Sequence, residues 1–442
     1  MGHLGRLKEE YRELADRLQA GPVAYPEPED PAARAGWQEI LEILYTPEEA
    51  ALAARLPVRP MSLERLSARL DLPAEALRPR LEAMADKGLV MDLVHARSGR
   101  TAWLLSPPVV GFFEYSLMRA SDSIPKRRMA EALHAYTHGD EAFAREAFGG
   151  QTVIGRALVH ETALCDEPLP EVLDWQRATA VIGEARAWAV SLCYCRHKAE
   201  HLGEACQAPM DNCLSINGGA EFVVRRGFGR AIERGEALEL LARSREAGLV
   251  QIADNVQSRP TFVCNCCGCC CEQLQGANRW GLASVNPSGF APRLDPEACR
   301  GCSRCARACP VAAIQMAPAR QAGRQRNALA PAIDLERCIG CGVCATACHQ
   351  GALRMAEGGS PRPVPSSAVE KMVRMAIERG RLADLLFDEG AGLGSRFLHH
   401  AVRALTRLPV ASRVLAGEQV KSRFVRAALA GLGGERAPTA GR

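Results

Sequence analysis

The sequence predicts a multidomain chain that is mainly α with α+β parts. Three observations carry that reading. A helix–helix–helix–hairpin pattern occupies residues 37–105, helical periodicity interspersed with cysteines fills 106–292, and a cysteine repeat at 293–357 precedes a basic helical tail at 366–442. A chain of 442 residues has room for about two to four domains. Its 47% of apolar residues supplies sizeable cores, and a formal net charge of +4 is too small to call for nucleic acid or acidic lipid as a partner.

Residues 1–36 read as a short helix, Leu4–Leu18, and a linker containing Pro22, Pro26, Pro28 and Pro31. In the unit at 37–105, Ile40, Leu41, Leu44 and the run 50–56 form helical faces. Ser62 stands at an N-cap position, three residues before Arg65, and opens a helix over Leu63–Leu70. Pro73 suits the first turn of the next helix, which ends at Lys87-Gly88. Leu89–Val94 and Thr101–Leu105 alternate like two strands around Ser98-Gly99. This order is similar to that of a winged helix. The middle, 106–292, is expected to be a helical, cysteine-rich domain, with helices over Glu131–Phe148, Leu173–Val190 and Gly235–Leu249. A cysteine-bearing loop lies at Cys193–Gly219 and a dense cysteine string at 262–271, and Pro361–Pro365 forms a linker before the tail.

Met1–Glu10 lacks the apolar region of a secretory leader. No stretch reaches the ~18 to 20 apolar residues that a membrane span needs, and even Leu104–Phe113 is broken by Pro107 and Pro108. The expectation is a soluble protein of an anaerobic or reducing cytoplasm. There, 19 cysteines read as metal or cluster ligands rather than as disulfides.

The strongest motif is Cys299, Cys302, Cys305 and Cys309 followed by Pro310, a C-x2-C-x2-C-x3-C-P run. It returns at Cys338, Cys341, Cys344 and Cys348. The flanks repeat as well: Leu294-Asp295 matches Ile333-Asp334, and Ala313–Met316 matches Ala352–Met355. A cubane cluster offers four iron corners to thiolates. The tight spacing wraps one loop around three corners, Gly301 and Gly340 let backbone N–H groups approach, and the fourth thiolate must come from elsewhere.

Over about 60 residues this region resembles the bacterial-type two-[4Fe–4S] ferredoxin domain. The resemblance implies two [4Fe–4S] clusters, one held by Cys299, Cys302, Cys305 and Cys348, the other by Cys338, Cys341, Cys344 and Cys309. It also implies one-electron relay between redox partner proteins, an electron donor and an acceptor reductase. The sequence departs from the family in placing His349 after Cys348 and in a long, basic connection bearing Arg320, Arg324 and Arg326. Two zinc sites are the competing reading of the eight cysteines, but zinc knots rarely use this spacing.

A second field comprises Cys193, Cys195, Cys206 and Cys213, then Cys264, Cys266, Cys267, Cys269, Cys270 and Cys271. So dense a string is not explained by packing, and it is expected to form a third metal or cluster site, an iron–sulfur cluster or zinc, with a redox dithiol or no cofactor as the rival readings. His197 and His201, four apart, share a helical face and are added candidates. No C-x-x-C-H or H-E-x-x-H occurs, so covalent haem and a zincin are unsupported. The Cys193–Arg196 segment, the Cys-Asn-Cys-Cys string and the two ends together resemble a group of bacterial dicluster ferredoxin-like proteins, which implies electron transfer without fixing a substrate.

Two signals are weaker. In the winged-helix-like unit, Arg78, Arg80, Lys87, His95, Arg97 and Arg100 offer cations to DNA, but Glu75, Glu82 and Asp86 oppose them, so DNA is not the favoured partner. The tail carries 13 lysines and arginines against 7 acidic residues. Phe397, Leu398, Val402, Leu405 and Leu408 lie at helical spacing beside Arg396, Arg403 and Arg407, which suits a packed helix, or a docking or peripheral membrane face. The expected function is iron–sulfur electron transfer. The alternatives are a cluster-sensing DNA-binding regulator, and an oxidoreductase whose active site lies in the middle cysteine field.

Overall fold

The computed structural model describes residues 8–95, 98–165, 177–318 and 329–386. Arg97, the three arginines of the inter-repeat connection and the apolar and basic residues singled out in the tail lie outside them.

The N-terminal part begins with helices Glu9–Leu18, Pro31–Leu44 and Pro47–Ala53. The third opens on a capping box: Thr46 Oγ1 accepts from the Glu49 amide (3.2 Å) and Glu49 Oε2 from the Thr46 amide (3.0 Å). Strand β1 (Met61–Ser62) leads into helix Leu63–Leu70, capped by Ser62 as expected, and then into helix Ala74–Asp86. Strands β2 (Val90–Val94) and β3 (Thr101–Leu105) complete a three-stranded antiparallel sheet in the order β1-β3-β2. The turn between helix and β2 requires Gly88: its φ is +81°, and a Cβ there would lie 2.4 Å from Tyr115 Cβ.

The Pro-rich segment read as a linker is packed. Tyr25 is buried, stacks on Trp37 at 5.7 Å and donates its hydroxyl to the Trp37 carbonyl at 2.6 Å. Phe112, Phe113 and Tyr136 meet the same ring, so one core joins the first helix to residues beyond 106.

The expectation of a helical middle is corrected. Seven strands form one sheet: β4 (Gly155–Ala157), β5 (Trp188–Ser191), β6 (Cys213–Ile216), β7 (Arg230–Ile232), β8 (Val250–Asp254), β9 (Phe262–Cys266) and β10 (Val285–Asn286). Their order is β10-β4-β8-β9-β6-β5-β7, with only β10 and β4 parallel. Within the helix expected over Leu173–Val190, Ala178–Gly183 is helical and Trp188 starts β5, while 166–176 lie outside the described residues. The other two expected helices are found as Lys126–Gly139 with Ala142–Phe148, and as Arg234–Glu246.

The cysteine repeat folds as two matching halves. Strand β11 (Phe290–Leu294) precedes the first motif and β12 (Ile314–Pro318) follows it; β13 (Leu329–Ile333) precedes the second and β14 (Leu353–Glu357) follows it. The halves cross-pair, β11 with β14 and β12 with β13, all antiparallel. Asp295 and Asp334 each accept through Oδ1 from the amides two and three residues on, at 2.9 and 3.4 Å and at 3.0 and 3.2 Å. Helices Ala368–Glu378 and Leu382–Leu386 return to the N-terminal core through Glu146, which pairs with Arg379 and Arg381. Among the described residues no helix is long and apolar enough to cross a membrane.

Candidate metal centres

The repeat brings the eight cysteines together in two sets. Cys299, Cys302, Cys305 and Cys348 line one small pocket with Gly301, Ala352 and Leu353. Cys309, Cys338, Cys341 and Cys344 lie close enough to act on one another electrostatically. Each set therefore takes three cysteines from one half and the last from the other. The cross-pairing of strands explains this, because it sets the end of each motif beside the start of the other.

Local backbone prepares both loops. Gly301 and Gly340 have φ of +65° and +68°, and a Cβ on Gly340 would sit 2.4 Å from the Phe290 carbonyl oxygen. The Gly301 amide donates to Cys299 Sγ at 3.5 Å and the Ala313 amide to Cys309 Sγ at 3.2 Å, the amide-to-sulfur bonds that tune a cluster. Burial pushes Cys341 up to about 12 and raises Cys305, Cys338 and Cys344. Buried thiols that resist ionisation become thiolates once a cation coordinates them. His349 is exposed.

The two sets differ in surroundings. Cys302 is exposed, so the first set borders solvent. The second packs against the middle cysteines: Cys341 shares an apolar cluster with Cys266 and Cys271, with Cys264, Cys309 and Cys338 at its edge. The His160 amide donates to the Cys341 carbonyl at 2.9 Å, and the His160 ring is held between Leu249 O and Thr346 Oγ1.

The middle field itself comes from neighbouring strands. Cys213 starts β6, Cys264 and Cys266 lie on the adjacent β9, and β5 leads into Cys193 and helix Tyr194–His201. Cys271 stands just before helix Glu272–Trp280. The ten cysteines separate into two groups. In the first, thiols close enough to act on one another run from Cys193 to Cys195, Cys271, Cys266, Cys264 and Cys213. In the second, Cys206, Cys267, Cys269 and Cys270 have all sulfurs within 4.8 Å of one another.

The six thiols of the first group line a cavity of about 280 Å³. Most of its other walls are apolar, with Met91, Val109, Tyr115 and Phe262 among them. Three polar features were not legible in the sequence. Glu114 lines the cavity, accepts from the Gly111 amide at 2.9 Å, and is pushed up to about 7 by burial. Asn212 Nδ2 and Asn265 Oδ1 are buried with no hydrogen-bond partner. Arg196 is fully buried and donates to Pro209 O, to Asn212 Oδ1 (3.2 Å) and to Cys267 Sγ (3.5 Å). Arg196 follows Cys195 in the Cys-x-Cys-Arg segment and Asn265 lies in the Cys-Asn-Cys-Cys string, but neither pattern announced a role for these side chains.

His197 and His201 do not join the thiols. The His197 ring bonds the Leu117 carbonyl at 2.7 Å through Nδ1 and His201 at 3.1 Å through Nε2. Beside them Lys198 pairs with Glu272, which also meets His138 at 3.1 Å. Burial opposes ionisation of Glu272, but Lys198 and His138 outweigh it and hold the carboxyl far below its ordinary range.

Residues 298–352 match the family model of the 4Fe-4S dicluster domain. The cofactors are therefore [4Fe–4S] clusters. No curated protein and no solved structure matches the chain. The dicluster match covers the whole of both cysteine motifs and begins beyond the middle field. An iron–sulfur electron-transfer role follows for this module, and such a role implies a redox partner.

Proposed function

We propose that the chain takes electrons at its dicluster module and delivers them toward the middle cysteine field, from which a partner reductase receives them. Cys299, Cys302, Cys305 and Cys348 hold the solvent-side cluster, and Cys309, Cys338, Cys341 and Cys344 the inner one. When bound, the clusters supply one-electron transfer at low potential. The protein's own residues do the rest. Buried Cys341, Ile339 and Val343 exclude water from the inner set, while Gly301 and Gly340 shape the loops around each. The observation that carries the reading is the packing of the inner cysteines on Cys266 and Cys271. It gives the module an exposed end and a buried end.

Protein-film voltammetry on the full chain under anaerobic conditions tests this. Two reversible one-electron couples are expected, one of them lost in Cys305→Ser. A film with no reversible low-potential couple would overturn it.

The cavity favours a second reading, an oxidoreductase that consumes those electrons itself. Six thiols, a carboxyl that keeps its proton below pH ~7 and two unpaired amide groups converge on about 280 Å³ beside the inner set. Glu114 would hold the proton that a two-electron reduction consumes. Dithionite-driven turnover of a small acceptor, lost in Glu114→Gln with cluster signals intact, supports this reading over a plain carrier.

The winged-helix-like unit is proposed as an internal docking module. Its β2 residue Asp92 is buried in pairs with Arg225 (2.7 Å) and Arg226 (3.0 Å) of the middle domain, and Asp86 meets Arg226 at 2.9 Å. The outer strand of the hairpin and the end of the would-be recognition helix are thus engaged within the chain.

A further inference from the structure

We propose that Cys206, Cys267, Cys269 and Cys270 hold a single divalent transition-metal ion, zinc or ferrous iron, in a tetrahedral all-thiolate site separate from every iron–sulfur cluster. The spacing of the sulfurs is the first argument. Cys206 to Cys267 is 3.6 Å, Cys269 to Cys270 is 3.6 Å and Cys270 to Cys206 is 3.9 Å. A tetrahedron with metal–sulfur bonds of about 2.3 Å has edges of about 3.8 Å. A cubane interposes four irons and four sulfides between its thiolates and forces them farther apart. Among the described residues, these four are the one group of three or more histidines, cysteines or carboxylates whose ligand atoms all lie within 4.8 Å. The two ferredoxin-like sets are more open, as cubanes require.

Charge is the second argument. Arg196 is buried, and its acceptors other than sulfur are the neutral Pro209 carbonyl and Asn212 side chain. Among the described residues no carboxylate pairs with it, and its Nε has no hydrogen-bond partner there. A buried guanidinium needs an anion. The Cys267 sulfur, 3.5 Å from Nη2, supplies one as a thiolate. Four thiolates around a divalent ion carry two excess negative charges, and Arg196 offsets one of them. The guanidinium thus orients a ligand from outside the coordination sphere.

The chain is built to deliver these ligands. Three come from the turn Cys267-Gly268-Cys269-Cys270, whose glycine fits where a Cβ would lie 2.5 Å from the Pro310 carbonyl oxygen. Gln275 Nε2 donates to the Gly268 and Cys269 carbonyls at 2.8 and 3.0 Å and fixes the turn. The fourth ligand, Cys206, comes from the loop between helix Tyr194–His201 and β6. The ion would tie that loop to the turn and brace one wall of the cavity, which Cys267 and Cys270 also line. Exposed Cys269 leaves it open to loading from solvent. The site does not depend on the electron-transfer reading and fails or stands separately from it.

The test uses the full chain purified without oxygen. Metal and sulfide analysis should find about one zinc or iron per chain beyond the iron matched by acid-labile sulfide. Cys269→Ser should lose that ion while sulfide content and the reduced-cluster EPR signals stay unchanged. Cobalt loading of the unaltered protein gives a second readout that needs no variant: thiolate-to-cobalt charge transfer and tetrahedral ligand-field bands at about one cobalt per chain, with zinc or iron at one equivalent released. A third set of about four irons with four sulfides, lost together in Cys269→Ser, would show a cubane there and overturn the proposal. So would the absence of any ion beyond the sulfide-matched iron, with no cobalt taken up.

Discussion

Asn278 donates through Nδ2 to the Pro310 carbonyl at 2.9 Å and to the Gly268 carbonyl at 3.2 Å. Pro310 directly follows Cys309, and Gly268 lies in the middle cysteine turn, so one side chain clamps the inner edge of the dicluster module to the second thiol field. It adds a polar tie to the apolar packing that joins the two cysteine regions.

Gly268→Ala is expected to disturb the clamp, because its new Cβ would fall 2.5 Å from Pro310 O. Overpacking of this kind costs about 1 to 3 kcal/mol. Anaerobic thermal unfolding should show that loss. Gly183→Ala, where nothing lies within 4 Å of the new Cβ, should be neutral or slightly stabilising.

The crossed ligand sets are tested by paired variants. A Cys309→Ser, Cys338→Ser double variant should keep about four irons, because both residues serve one cluster. Cys305→Ser with Cys338→Ser should lose both clusters. Equal iron contents in the two double variants would point to uncrossed sets.

Asp92→Ala is expected to destabilise the chain by roughly 2 kcal/mol, since it removes the buried carboxylate shared by Arg225 and Arg226 and leaves Arg226 only Asp86. Denaturant titration reads the loss. The same docking predicts no sequence-specific, salt-dependent DNA binding by the full chain. A specific gel shift that follows cluster oxidation would restore the regulator reading.

Acid should loosen the return of helix Ala368–Glu378. Burial pushes the Glu146 carboxyl upward, but Arg381 and Arg379 outweigh it and leave it below its ordinary value. A depressed carboxyl gives stability that is present above its unfolded pKa of about 4.5 and lost as pH falls through the lower folded value. Glu146→Gln should remove roughly 2 kcal/mol at pH 7 and flatten stability against pH below about 4.5. An unchanged acid profile would contradict this account of the contact.

The dicluster module was legible because its information is local: the spacing of cysteines, the glycines and the repeated Asp295 and Asp334 turns all lie within short windows. The N-terminal helices were legible through Ser62 and the apolar periodicity. The middle domain was not. Its strands are two to five residues long, two of them carry cysteines that read as ligands, and the neighbours β9, β6 and β5 are separated in sequence. Which cysteine stands beside which depends on that strand order, so the split into four and six could not be read from spacing. Glu114 reaches the cavity from a helix that belongs to the N-terminal core, a contact no local pattern announces.

The central claim is tested most directly by iron, acid-labile sulfide and zinc content of the anaerobically purified chain, with EPR of the dithionite-reduced form. The account predicts about eight sulfides with eight matching irons, interacting cubane signals, and about one further ion. Stoichiometric zinc with little iron or sulfide in protected samples would contradict it.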